Sequence, residues 1–252
     1  MMAVFDVPAP LLAALDAPLR DLLSPLGALA VWGILAALLS MGLYRAVSRQ
    51  QAIKQAKADA ADARRRLQTY DGDFDGLGPL LGQAIGSSLK QLRLTLVPAL
   101  IASLPLVSLL VWLDSTYGHR FSPAGTAIEL RAQPDTAVLR TATGDGHNHV
   151  LRLAWPEEGE RLTVLGPEGR VLLELPPRLP VATIHKRSWW NILVGNPIGY
   201  LPPEGPVEVI ALDLPPAHYL TFGPEWLRGW EAIFLSVLLA GSLLVKVLFR
   251  IS

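Results

Sequence analysis

The stretch "MGLYRAVSRQQAIKQAKADAADARRR", residues 41–66, changes its preferred solvent halfway along without changing its helical grammar. Leu26 to Tyr44 carries no charge and is almost wholly apolar. After Tyr44 come Arg, Lys, Gln, Ala and Asp, with no Gly or Pro to stop a helix. A membrane span running straight on into a charged helical rod is the reading these residues favour. What such a rod serves has to come from the rest of the chain.

The chain has 252 residues, of which 51% are hydrophobic, and its formal charge is balanced. That content is high for a soluble domain, and the charge balance gives no case for nucleic acid or an anionic surface. There is no cysteine, so disulfides, thiolate metal sites and cysteine nucleophiles are excluded.

Three stretches are long and apolar enough to cross about 30 Å of hydrocarbon. They are Leu26–Tyr44, Leu94–Leu113 and Ile233–Phe249. Pro98 and Pro105 in the second are tolerable where neighbours re-satisfy freed carbonyls. Lys246 in the third lies a turn from its end and can snorkel.

Orientation comes from the short loops. Residues 45–93 hold nine Lys and Arg, whereas Arg20 is the lone basic side chain before the first span. The positive-inside bias therefore puts the loop and the C-terminal tail in the cytoplasm and the N-terminus outside. The second loop, about residues 114–229, is too long for its arginines to decide topology. Trp112, Tyr117, Trp226 and Trp230 fall where an outer aromatic belt is expected.

The N-terminal segment, residues 1–23, lacks the basic start of a secretory signal. Leu11, Leu15, Leu19 and Leu22 recur as one face of a short helix, fit either for the bilayer surface or for a soluble cap. In the cytoplasmic loop, Val47, Ile53, Ala56, Ala60, Ala63 and Leu67 make a thin apolar stripe at seam spacing, predicting a helical hairpin over 45–93. "YDGDFDGLGP" breaks the hairpin, and a second amphipathic helix, Leu80–Leu92, leads into the next span.

That break holds Asp71, Asp73, Asp75 and Gly76, the opening of a calcium loop, but its twelfth position is Gly82 rather than a bidentate Glu. An acidic turn is favoured. "SSLK" at 87–90 matches a serine acyl-enzyme motif without its companions, so chance is favoured.

The outer loop differs. "TAIELRA", "TAVLRTA", "HVLRLAW", "RLTVLG", "RVLLELP", "VATIHK" and "VEVIALDL" are short, partly alternating runs separated by turn residues. They predict six or seven strands of a small sandwich-like domain, with "GDGHN" and "GPEG" as hairpin connections. His147 and His149 are placed like a metal pair, though no third ligand is arranged beside them, so a solvated hairpin tip is favoured. Residues 188–203, "SWWNILVGNPIGYLPP", read as an interfacial or re-entrant segment, with a hydrophobic staple inside the β-domain as the alternative.

The expected fold class is membrane α-helical: three transmembrane helices, a cytoplasmic helical hairpin and an inserted extracytoplasmic β-sandwich-like domain. The expected division is 1–23 N-terminal segment, 24–44 first span, 45–93 hairpin, 94–113 second span, 114–187 and 204–228 β-domain interrupted by 188–203, and 229–252 third span with tail.

"LYRAVSRQQAIKQAKADA" (43–60), "LRLTLVPALIASLPLVSLLVWLDSTYG" (92–118) and "IFLSVLLAGSLLVKVLFRI" (233–251), taken in that order, resemble the three-helix core of the YidC/Oxa membrane-protein insertase superfamily. The likeness is to its minimal members, the archaeal YidC-like proteins and the calcium-load-activated channel relative of the endoplasmic reticulum. It covers residues 22–119 and 189–251, not the β-domain, and rests on order and topology.

The resemblance implies a hairpin that meets ribosomes, targeting factors or a partner membrane subunit. It also implies a groove between the spans that admits polar parts of a nascent or partner membrane protein, with no cofactor and no covalent chemistry. Such a groove would lower a desolvation cost of about several kcal/mol per unsatisfied group.

Candidate groove residues are Ser40, Arg45, Ser103, Ser108, Ser236 and Ser242. Serines also mark tight helix contacts, and Arg45 at the rim is positioned to snorkel. Arg64, Arg65 and Arg66 are candidate partner-binding residues on the hairpin. The sequence departs from the family in lacking an arginine within the first span. A bacterial inner-membrane insertase-like or chaperone-like factor is the expectation; the rival is a scaffold subunit whose β-domain binds an envelope partner.

Overall fold

The structure, a computed structural model, describes residues 3–141, 149–167, 169–189, 191 and 195–249. It divides into two compact units, Met1–Leu29 with Val107–Ile233, and Ala30–Leu106 with Phe234–Ser252. Among the described residues, three helices are long and apolar enough to cross a membrane: Pro25–Val47, Gly76–Tyr117 and Trp230–Phe249. The expected combination of membrane-length helices with a β region is therefore present.

The helices are α1 (Ala9–Leu22), α2 (Pro25–Val47), α3 (Gln50–Gln68), α4 (Phe74–Tyr117), α5 (Glu225–Arg228) and α6 (Trp230–Phe249). The span does not run unbroken into the rod. Helix α2 ends at Val47, and α3 begins at Gln50 after an Arg49 with ψ 82°. Ser48 is buried at this joint and accepts a hydrogen bond from the Gln50 side chain. A serine that offers its hydroxyl locally competes with the helical ladder, a break the composition did not disclose.

The second half of the hairpin and the second span, by contrast, are one helix. Helix α4 has 44 residues and contains Pro79, Pro98 and Pro105 without interruption. The expected boundary at 93/94 marks a change of polarity, not of structure.

In the unit that holds α3, the seam is narrow because its side chains are small. Ile53, Ala56, Ala60 and Ala63 of α3 are buried at i, i+3, i+7, i+10 spacing, together with Ala84 of α4. Helices α2 and α6 also meet through small residues. A Cβ on Gly33 would stand 2.8 Å from Val237 Cβ, and one on Gly241 would stand 2.9 Å from Ala37 Cβ. Small residues let membrane helices approach closely enough for dispersion contacts to hold them.

The other unit contains the β-domain. Its strands are β1 (Ala127–Gln133), β2 (Arg140–Thr141), β3 (Val150–Ala154), β4 (Leu162–Leu165), β5 (Val171–Leu175), β6 (Thr183–His185) and β7 (Val209–Leu212). Each coincides with one of the seven quoted runs, β1 reaching one residue past its run to Gln133. They form two antiparallel sheets, β3-β1-β7-β6 and β2-β4-β5.

Strand β1 alternates cleanly, burying Ile128, Leu130 and Ala132. These join Leu151, Val164, Leu175, Ile184 and Ile210 in one core shared by both sheets. Both sheets thus bury side chains in the same core.

"GPEG" does join the adjacent strands β4 and β5, with Gly169 at φ 73° where a side chain would be strained. The expected "GDGHN" connection, His147 included, lies outside the described residues. Of the strands on either side, β2 pairs with β4 and β3 with β1.

The domain's two stems are paired. Arg120 N donates to Pro215 O, Ala217 N to Gly118 O, and Tyr219 Oη to Tyr117 O. Strands β1 and β7 continue that pairing as neighbours, so the chain enters and leaves the insert side by side.

Candidate functional site

The hairpin arginines have three different environments. Arg64 Nη2 donates to Ser88 Oγ across the seam at 3.3 Å. Arg66 is paired with Asp62 one turn back at 2.8 Å, both well exposed. Arg65 is exposed, and its carbonyl accepts from Thr69 N and Oγ1. An exposed i, i+4 pair is worth only about 0.3–0.5 kcal/mol, so Asp62 screens Arg66 without locking it. The cluster is thus a graded basic surface rather than three equal charges.

The candidate groove side chains have the following surroundings. Ser40 Oγ donates to Ala37 O at 3.2 Å and Ser103 Oγ to Leu100 O at 2.8 Å, each within its own helix. Ser108 and Ser242 are half-buried, and Ser236 is exposed. Arg45 closes the far end of α6: its Nη1 donates to Phe249 O at 3.1 Å, with its guanidinium 5.9 Å from the Phe249 ring. A cation on one of the last carbonyls satisfies an orphan acceptor and matches the negative end of the helix dipole.

The apolar surface of this unit is its more telling feature. Leu81, Ile85, Leu89 and Leu92 of α4 are all exposed, and the exposure continues through Leu96, Leu100 and Leu104 into the span. Arg64, Ala84, Ile85, Ser88, Leu89 and Leu92 line a shallow groove of about 340 Å³ beside the hairpin seam.

The β-domain unit has a separate cavity of about 480 Å³, lined by Leu110, Val111, Asp114, His119, His185 and Trp230 among others. Burial pushes the His185 imidazole below its ordinary value. Among the described residues no group of three or more His, Cys, Asp or Glu is placed to hold a metal. Nor is there a calcium loop at Asp71–Gly82: helix α4 already begins at Phe74.

The N-terminal helix turns its leucine face outward, as the bilayer-surface alternative expects. Its leucines Leu11, Leu15 and Leu22 are exposed, whereas Asp6 and Asp16 are 1% and 2% exposed. Tyr117 Oη donates to Asp16 Oδ1 at 2.6 Å, and Arg20 Nε pairs with the other oxygen. Asn196 N donates to Asp6 Oδ2 at 2.6 Å, while Asp6 Oδ1 is buried without a partner. Polar anchors thus hold the segment down and leave a leucine face outward, which is the arrangement a bilayer-surface helix needs.

The aromatic belt is correspondingly thinner than expected. Trp112, Tyr117 and Trp230 are buried in protein; Trp226 is exposed, as are Phe222 and Trp189. Of segment 188–203, residues 190 and 192–194 lie outside the described ones, and described residues of it are tied to the β-domain. Leu201 lies in the core with Ile198 against it, and Asn191 Nδ2 donates to Lys186 O. Trp189, 87% exposed, is its outward element.

Compared with protein-family models, with curated proteins and with solved structures, the chain matches none.

Sequence reasoning missed the contacts that depend on a distant partner. Asp16 and Tyr117 are 101 residues apart, and Asp6 and Asn196 are 190 apart. The Gly33–Ala37 spacing, by contrast, was a readable small-xxx-small signal for the α2–α6 contact.

Proposed function

We propose that this protein is an insertase-like or chaperone-like factor of a bacterial inner membrane. It would bind apolar segments of nascent or partner membrane proteins along its span and hairpin surface. The observation that carries the reading is helix α4. Its 44 residues extend about 66 Å, more than twice the hydrocarbon thickness. One apolar face therefore runs from the span out along the hairpin, as a path for an apolar helix passing between solvents would require. The topology order, which resembles the YidC/Oxa core, supports the same reading.

On this reading Ser40, Ser103 and Ser236 face the client's route, and Arg64, Arg65 and Arg66 recruit an acidic or RNA-rich partner. Photo-crosslinkers at the three serine positions should capture short, newly made membrane segments in a translation reaction with membranes. Replacing the three arginines by Glu should weaken recruitment, more strongly at low salt. Absence of client adducts at all three positions would overturn the proposal.

A second reading is favoured by the independent core of the β-domain: a scaffold whose domain binds an envelope partner while the spans anchor it. Deleting residues 119–217 should leave client crosslinking intact under the first reading. Under the second, that deletion alone should abolish the cellular phenotype.

A further inference from the structure

Among the described residues, the cavity beside Asp114, the leucine face of α1 and the apolar stripe of the hairpin are surfaces open to partners. The stripe carries the furthest argument. Leu81, Ile85, Leu89 and Leu92 are 46%, 52%, 59% and 57% exposed. At about 100° per residue they fall within an arc of about 80° on α4, adjoining the face that Ala84 presents to the seam.

Lipid does not account for the outer half of this stripe. With Leu94–Leu113 filling the hydrocarbon, Ile85 stands about 13 Å and Leu81 about 20 Å beyond it along the axis. Headgroup layers add only about 5–8 Å on each side. A helix tilted by about 20° shortens these distances by less than a tenth. Two large aliphatic side chains in a row are therefore left to water unless protein covers them.

The borders of the stripe specify what covers it. Arg64 lies along the seam side, within the groove that Ile85, Leu89 and Leu92 line. Arg93, exposed, follows Leu89 by about 40° on the other side. Both borders are cationic. Two copies of this chain inserted the same way would pack parallel and set Arg against Arg, which disfavours self-pairing through this face. Beside the stripe Gly78, Gly82 and Gly86 follow one another at four-residue spacing, with open space where a Cβ would project. A partner backbone can come close there.

We propose that this stripe is the docking surface for an amphipathic helix with acidic borders, belonging to a partner membrane protein and packed as a third helix on the hairpin. The proposal goes beyond the insertase reading, because it holds for a resident subunit in a scaffold as well as in an insertase. It requires only that the hairpin stand clear of the bilayer.

The chain has no cysteine, so Ile85→Cys in the full-length protein gives a unique attachment site. In lipid nanodiscs a nitroxide there should be relaxed by a water-soluble nickel chelate more than by oxygen. The reverse would place the stripe in lipid and overturn the proposal. A synthetic leucine-stripe helix of about 18 residues with Glu borders should protect the label, and its Lys-bordered counterpart should bind about tenfold more weakly. Arg93→Glu with Arg64→Glu should invert that preference, and Leu81→Ser should weaken both peptides. Equal binding of the two peptides, or a disulfide between two copies through position 85, would also overturn it. Loss of client crosslinking with peptide binding intact would sink the insertase reading and leave this one standing.

Discussion

Asp6 shows how a single side chain sets an unexpected balance. Its carboxylate is buried with one oxygen unpartnered, and burial raises its pKa despite the hydrogen bonds from Asn196 and Ala3. A carboxyl whose folded pKa lies above its unfolded value favours folding in its protonated form. Its contribution is most favourable at low pH and is lost as pH rises through the folded value. Asp6→Asn should therefore raise the thermal midpoint of the protein in detergent at pH 7, and the gain should shrink toward pH 4. A midpoint that falls equally at both pH values would show that the charge itself is needed. Nothing in "MMAVFDVPAP" foretells this, because the partner at Asn196 sits on a loop at the far end of the chain.

Elements are where the sequence spoke most clearly, and also where it misled. Apolar length alone located α2, α6 and the second half of α4, and partial alternation with turn residues located the described strands. Alternation could not say which strands pair. Strands β2 and β3 follow one another in the sequence yet pair in different sheets, since pairing is decided by the core. The groove serines illustrate the same limit: composition marks a hydroxyl but not whether it faces a client or its own helix carbonyl.

Two predictions belong at this scale. Gly33→Leu should separate α2 from α6, because even a Cβ there would stand 2.8 Å from Val237 Cβ. Overpacking costs typically about 1–3 kcal/mol, readable as a lower unfolding midpoint in detergent. Gly42→Leu, on the same helix with nothing within 4 Å of its Cβ, should leave the midpoint nearly unchanged.

The second concerns the β-domain. Strand β7 lies between β1 and β6, so a fragment ending at residue 186 lacks an inner strand of the four-stranded sheet. Residues 119–217 expressed alone should melt cooperatively with a β-type circular dichroism spectrum, whereas 120–186 should not. Cooperative melting of the shorter piece would refute the role given to β7.

The whole molecule couples two folding problems in one chain. One unit holds a two-sheet β region with its own core and stems paired beside Tyr117; the other holds helices with an open apolar stripe. The account of function depends on those two parts facing opposite solvents. A reporter active only outside the cytoplasm, fused after residue 160 or after residue 70, measures this directly. The account predicts activity at 160 and silence at 70, with the complementary pattern from a cytoplasm-only reporter. Activity at 70 with silence at 160, or the same signal at both, would contradict it.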